Sequence, residues 1–180
     1  MMKQRKPNRL PGYDYSQDNL YFVTSCVHDM ICCLGNVVGT GRDLSLQEPQ
    51  MMLNEYGEIA DQQWYWLAEQ YPYIVLHEFI VMPNHIHGII EINRNAIVRT
   101  GRDLSVRDLS VLPKIKSLSE LMGAYKTTTS KKIHLSGFNE FAWQRSFHDN
   151  IIHNEKSYER ISNYIINNPK SWDQDKFFNK

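Results

Sequence analysis

The chain has 180 residues, 20 of them basic and 20 acidic, and only three cysteines. Zero net charge excludes a uniformly basic polyanion binder. An odd cysteine count, with Cys32 beside Cys33, makes a poor disulfide framework and better suits reduced thiols in a cytoplasmic protein. No apolar run approaches the roughly 20 residues of a membrane-spanning helix, and the basic N-terminus is not followed by an apolar signal core. The length fits one domain over 1–180.

Residues 1–19 read as a polar N-terminal arm, with Pro7, Pro11 and Gly12 breaking it and Lys3, Arg5, Lys6 and Arg9 making it basic. Leu20 to Val27, rich in β-formers, predicts a first strand. Residues 35–50 lack a clear period and are expected to form a surface loop. Met51 to Gln70 carries Leu53, Tyr56, Ala60, Trp64 and Leu67 at three- and four-residue spacing, which predicts a helix. Tyr73 to Met82 and His85 to Ile92 predict two strands joined by the turn signal Pro83-Asn84, hence an antiparallel hairpin.

Residues 93–116 form a second polar loop. Gly41-Arg42-Asp43-Leu44-Ser45 recurs as Gly101-Arg102-Asp103-Leu104-Ser105, followed by Arg107-Asp108-Leu109-Ser110. These copies are too short and too irregularly spaced for solenoid units, so both read as inserted surface loops. Ser117 to Leu135 predicts a helix opened by a Ser117/Glu120 capping box and ended near Gly137. Phe141 to Phe147 alternates and is expected to be the fourth strand. Asn154 or Ser157 opens a last helix that Pro169 stops. The order β-α-β-β-α-β plus a helix predicts an α+β, ferredoxin-like antiparallel sheet with helices on one face.

Two features carry chemistry. His85 and His87 lie one residue apart on a strand, so both imidazoles share a face, roughly 6.5–7 Å apart along the strand. That spacing lets two ring nitrogens reach one ion, although paired histidines also occur on strands without metal. Far along the chain, Tyr164 and Asn168 are four apart and would share one helical face, offering a phenol and an amide oxygen. Tyr125 and Tyr158 are the rival hydroxyls, but Tyr158 has Ser162, not an amide, four residues on. Glu78 is a weak candidate as an extra ligand. Lys126, Lys131 and Lys132 with Trp143 and Arg145 are candidates for a basic, aromatic single-strand groove, and Arg5 and Arg9 for gripping a hairpin stem. Lysines on a helix also occur simply as a solvated face.

The set His85-Ile86-His87 with Tyr164-Ile165-Ile166-Asn167-Asn168-Pro169 resembles the single-tyrosine HUH transposases, and most of all their REP-associated tyrosine transposase branch. Leu10-Pro11-Gly12-Tyr13-Asp14-Tyr15, Tyr21-Phe22-Val23-Thr24, Val81-Met82-Pro83-Asn84 and Trp143-Gln144-Arg145-Ser146-Phe147-His148-Asp149 extend the likeness over nearly the whole chain except the two repeat-bearing loops. The resemblance implies a divalent ion, Mg²⁺ or Mn²⁺, held by His85, His87 and Asn168, with Tyr164 as nucleophile. The substrate implied is single-stranded DNA bearing a hairpin, of REP type or from an insertion-sequence end, cleaved and rejoined through a 5′-phosphotyrosine. Relatives of this kind act as homodimers or as monomers. Two other readings stand beside it: a hairpin-binding module that no longer cuts, and a small-molecule metallohydrolase, which leaves the lysine-rich helix without a use.

Overall fold

The computed structural model describes residues 9–39, 48–96 and 114–178. Arg5 and all the Gly-Arg-Asp-Leu-Ser copies lie outside these residues. Among the described residues six strands run Asn19–Cys26 (β1), Gly35–Val38 (β2), Gln50–Leu53 (β3), Ile74–Met82 (β4), His85–Ile92 (β5) and His148–Ile152 (β6). The α-helices described run Glu55–Gln70 (α1), Leu118–Leu135 (α2) and Glu155–Ile166 (α3), and a 3-10 helix follows over Asn168–Gln174. The main sheet has the order β4-β5-β1-β6, with every neighbouring pair antiparallel. This is the expected β-α-β-β-α-β topology, since each crossover helix skips one strand. Among the described residues no helix is long and apolar enough to cross a membrane.

The two-residue period of the strands sorts the helices. Tyr21, Val23, Ile86, Ile90 and Ile92 face a core completed by Trp64 and Leu67 of α1 and Leu121, Met122 and Tyr125 of α2. Their alternates Leu20, Phe22 and Ile89 face the other way, onto Ile161 and Ile165 of α3. The crossover helices thus share one face, and the terminal helix covers the other. His85 and His87, in phase with Ile89, necessarily point toward α3.

Three boundaries differ from expectation. Met51–Leu53 is not the start of α1 but a strand paired with Gly35–Val37. The helix starts after Asn54, whose Oδ1 accepts from the N–H groups of Tyr56 at 3.1 Å and Gly57 at 3.0 Å; this N-cap outweighs the apolar stripe that runs back to Leu53. The segment 35–50 is correspondingly not all loop. The fourth strand is His148–Ile152, not Phe141–Phe147. Residues 141–147 form a strap whose buried Phe141, Trp143 and Phe147 alternate as a strand would, yet only Trp143 bridges the sheet, opposite Val27. Elsewhere the signals hold: the Ser117/Glu120 capping box forms, Gly137 takes φ 106°, and Asn154 caps α3.

Gly88 is required by packing. A Cβ there would meet Trp64 at 2.4 Å and Phe79 at 2.9 Å, two rings stacked at 4.3 Å. Gly88→Ala should therefore destabilise the fold by about 1–3 kcal/mol through overpacking, read as a lowered urea midpoint with unchanged slope.

Candidate active site

The site is built on the α3 face of β5. Asn84, in the β4–β5 turn, donates through Nδ2 to the carbonyls of Met30 at 3.2 Å and Phe177 at 2.8 Å. Both its N–H directions are thereby used toward oxygen, so its Oδ1 must face His85. It accepts from His85 Nδ1 at 2.8 Å, which puts the ring proton on Nδ1 and leaves Nε2 bare. His87 Nδ1 stands 2.8 Å from Thr24 Oγ1 on the neighbouring strand; with the ring proton on Nδ1 the hydroxyl accepts and Nε2 is free. The two Nε2 atoms lie 3.1 Å apart. Two nitrogens each about 2.1 Å from a common ion and at right angles would stand about 3.0 Å apart.

Both imidazoles are buried, and burial drives their protonation equilibria down: His85 to about 4, His87 well below its ordinary value with the neighbouring ring of His85 adding to it. The rings are neutral at physiological pH, the form that ligates metal. The stability consequence has a definite sign. An unfolded His85 protonates below its ordinary 6.5 while the folded one resists until about 4. Stability is thus full above pH 6.5 and lost as pH falls toward 4, by about 3 kcal/mol from His85 alone. A metal-free urea titration series over this range should show that slope, and His85→Asn should remove the share of it that His85 contributes, leaving that of His87.

Tyr164 projects from α3 with its hydroxyl 3.1 Å from His87 Nε2. Burial, and then the charge of Asp175, raise its pKa, against a hydrogen bond with Asn168. The expected shared helical face of Tyr164 and Asn168 is modified: α3 ends at Ile166 and Asn168 opens the 3-10 helix. Asn168 is nevertheless buried there, its Nδ2 donating to Asp175 Oδ2 at 3.2 Å while its Oδ1 has no partner. A buried amide oxygen without a donor and neutral imidazole nitrogens are atoms of the kind that ligate divalent cations.

Asp175 was not among the sequence candidates. A carboxylate oxygen of it and one nitrogen each of His85 and His87 all lie within 4.8 Å of one another, and its other contacts are local, Oδ1 accepting from the Phe177 N–H at 2.8 Å. Its position depends on the 3-10 turn folding back, which no residue spacing reveals. The following Phe177 ring lies 4.6 Å from that of His85.

The other candidates are elsewhere. Tyr125 is fully buried and donates to Ala60 O at 3.0 Å. Tyr158 and Glu78 bond to each other at 3.1 Å. An open groove of about 1310 Å³ on the α2 side is lined by Arg9, Lys126, Lys131, His134, Trp143 and Arg145. Within it Lys126 donates to the carbonyls of Gln144 and Arg145, Trp143 is packed against Tyr125 and Phe141, and Arg9 lies over the Phe147 ring at 4.9 Å. Lys132 is exposed on α2. Groove and tyrosine lie on opposite faces of the sheet. They meet at one end of it, where Cys26 pairs with His85 and Val27 with Trp143.

No family model matches the chain. An uncharacterized protein of Haemophilus influenzae is 32% identical over 178 residues, 97% of this chain and 93% of its own. The solved structure of a REP-associated tyrosine transposase bound to a REP hairpin covers 94% of this chain and 73% of its own, with a TM-score of 0.53 at 17% identity. The chain therefore belongs to one family with the Haemophilus protein and has the fold of the REP-associated tyrosine transposases.

Proposed function

We propose that the protein is a metal-dependent tyrosine transposase that cuts and rejoins single-stranded DNA beside hairpins. The observation that carries this is the convergence, within one chain, of the Tyr164 hydroxyl and the Asp175 carboxylate on the His85–His87 pair, with Asn168 bonded to Asp175. His85, His87 and Asn168 would hold Mg²⁺ or Mn²⁺. When bound, such an ion polarises a phosphate and neutralises its developing charge.

Tyr164 Oη attacks phosphorus, the P–O3′ bond breaks, and the products are a 5′-phosphotyrosine and a free 3′-hydroxyl. Rejoining reverses these bonds and needs no ATP. The phenol is a poor nucleophile at its raised pKa. Asp175, whose carboxylate acts on the Tyr164 hydroxyl, receives its proton, and the departing 3′-oxygen takes one from solvent. A hairpin stem lies in the basic groove, and its single-stranded flank crosses the sheet end near Cys26 and His85 to reach Tyr164. Since the hydroxyl meets the histidines of its own chain, cleavage proceeds in cis and needs no homodimer.

The test is covalent trapping: a 3′-end-labelled hairpin oligonucleotide, Mn²⁺, and a denaturing gel. A labelled protein band supports the reading. Tight binding without a band, over several genomic hairpins, favours the non-cutting module.

A further inference from the structure

The apolar contact that seats α3 sets Ile161 and Ile165 against Ile89 and Ile152, with partly buried Leu20, Phe22 and Ile80 around them. Beside it stands a polar network. In β4, His77 and Glu78 together oppose the single residue Ile89, since Leu76 pairs with Ile90 and Phe79 with Gly88. Such a two-against-one bulge re-aims side chains that a regular strand would send to opposite faces. Both now reach α3. Tyr158 donates its hydroxyl proton to Glu78 Oε2 at 3.1 Å, and Ser162 donates to the same oxygen at 3.0 Å. His77 Nδ1 lies 3.1 Å from the Tyr158 hydroxyl, and its Nε2 lies 2.9 Å from Glu91 Oε2 on β5. Asn93 donates to the other oxygen of Glu91 at 2.9 Å.

We propose that this bulge-borne network of His77, Glu78, Tyr158 and Ser162 is a positioning clamp that sets where the Tyr164 hydroxyl stands over the histidine pair. Tyr158 and Ser162, four apart, present one stripe of α3 to the bulge. Tyr164 follows Ser162 by two residues, about 3 Å of helical rise, so a shift or roll of the helix passes directly to its hydroxyl. Isoleucines permit sliding because dispersion contacts are non-directional, whereas hydrogen bonds to a single carboxylate oxygen fix both depth and rotation. Misplacing a reacting atom by about 1 Å costs on the order of 100-fold in rate. None of the four residues touches the site, so their effect runs through the placement of α3.

This inference rests on the proposed chemistry, and its test separates the two. Tyr158→Phe removes the hydroxyl that joins His77 to Glu78. Single-turnover cleavage should fall about 10- to 100-fold while the dissociation constant for the hairpin stays within about twofold. Glu78→Ala should behave alike, and Glu78→Gln, which keeps an acceptor oxygen, should recover most of the rate. Amide exchange, followed on the same metal-free proteins, should accelerate about tenfold or more in 155–166 of Tyr158→Phe and stay unchanged in 118–135. Unchanged exchange in α3, or a cleavage loss matched by the loss of folded protein, overturns the clamp. If the wild type cuts no DNA the proposed chemistry fails, and the exchange pattern decides the clamp on its own.

Discussion

Tyr164→Phe should abolish the covalent protein–DNA band and reduce strand cleavage by at least about 1000-fold, while leaving the protein folded. The first expectation follows from chemistry, since phenylalanine has no oxygen to bond to phosphorus and each factor of ten corresponds to about 1.4 kcal/mol of barrier. The second follows from exposure. Tyr164 is 41% exposed, and its hydroxyl bonds within the polar site, not the core, so its loss costs the fold about 0.5–1.5 kcal/mol. The two rival tyrosines give the contrast. Tyr125→Phe removes the buried hydroxyl that donates to the carbonyl of Ala60, and should lower thermal stability yet keep the band. Tyr158→Phe should slow the band's appearance without preventing it. A 3′-end label reads all three, because a 5′-phosphotyrosine retains the 3′ fragment on the protein. A band that survives Tyr164→Phe and vanishes in Tyr125→Phe would move the chemistry to the wrong side of the sheet and sink the assignment.

Much of the site was legible because its parts sit in regular elements. His85 and His87 obey the two-residue period of a strand already fixed by Ile86, Ile89 and Ile90, so a shared face followed from spacing alone. The capping box of α2 and the Asn154 cap of α3 placed those helices for the same local reason. What local pattern could not give was anything set by a fold-back or a register shift. Asp175 reaches the histidines only because the chain turns through Asn168–Gln174, and His77 and Glu78 face one way only because β4 carries an extra residue. Phe141 to Phe147 misled because alternate burial arises in any extended segment with a wet and a dry side, and a strap laid over the core satisfies it without pairing. Leu53 misled for the converse reason: it lies against the core, but as the end of β3. Tertiary placement decided these four, and a sequence carries it only diffusely.

Removing one imidazole should be felt first in metal affinity, before any DNA is added. His87→Ala and His85→Ala should each weaken Mn²⁺ binding by about 100-fold or more, and Asn168→Ala by about 10- to 100-fold, measured by titration calorimetry or by the electron paramagnetic resonance signal of free Mn²⁺. The histidines rank above the amide because they are already prepared: Asn84 fixes one tautomer, Thr24 holds the other ring by a hydrogen bond, and burial keeps both neutral. The same preparation predicts the pH profile. An ordinary histidine pair loses affinity below about 6.5 as protons compete with the metal. Here His85 stays neutral down to about 4, so Mn²⁺ affinity in the wild type should be nearly flat from pH 8 to 6 and fall only below about 5. Saturating ion should also raise folded stability, by about 2.7 kcal/mol at 100 times the dissociation constant, and His87→Ala should erase that increment. Affinity that drops steeply between pH 7 and 6 would mean that the rings are solvated and the pair is not the preformed site described above. Affinity unchanged in His87→Ala would place the ion elsewhere and leave Tyr164 without its electrophilic partner.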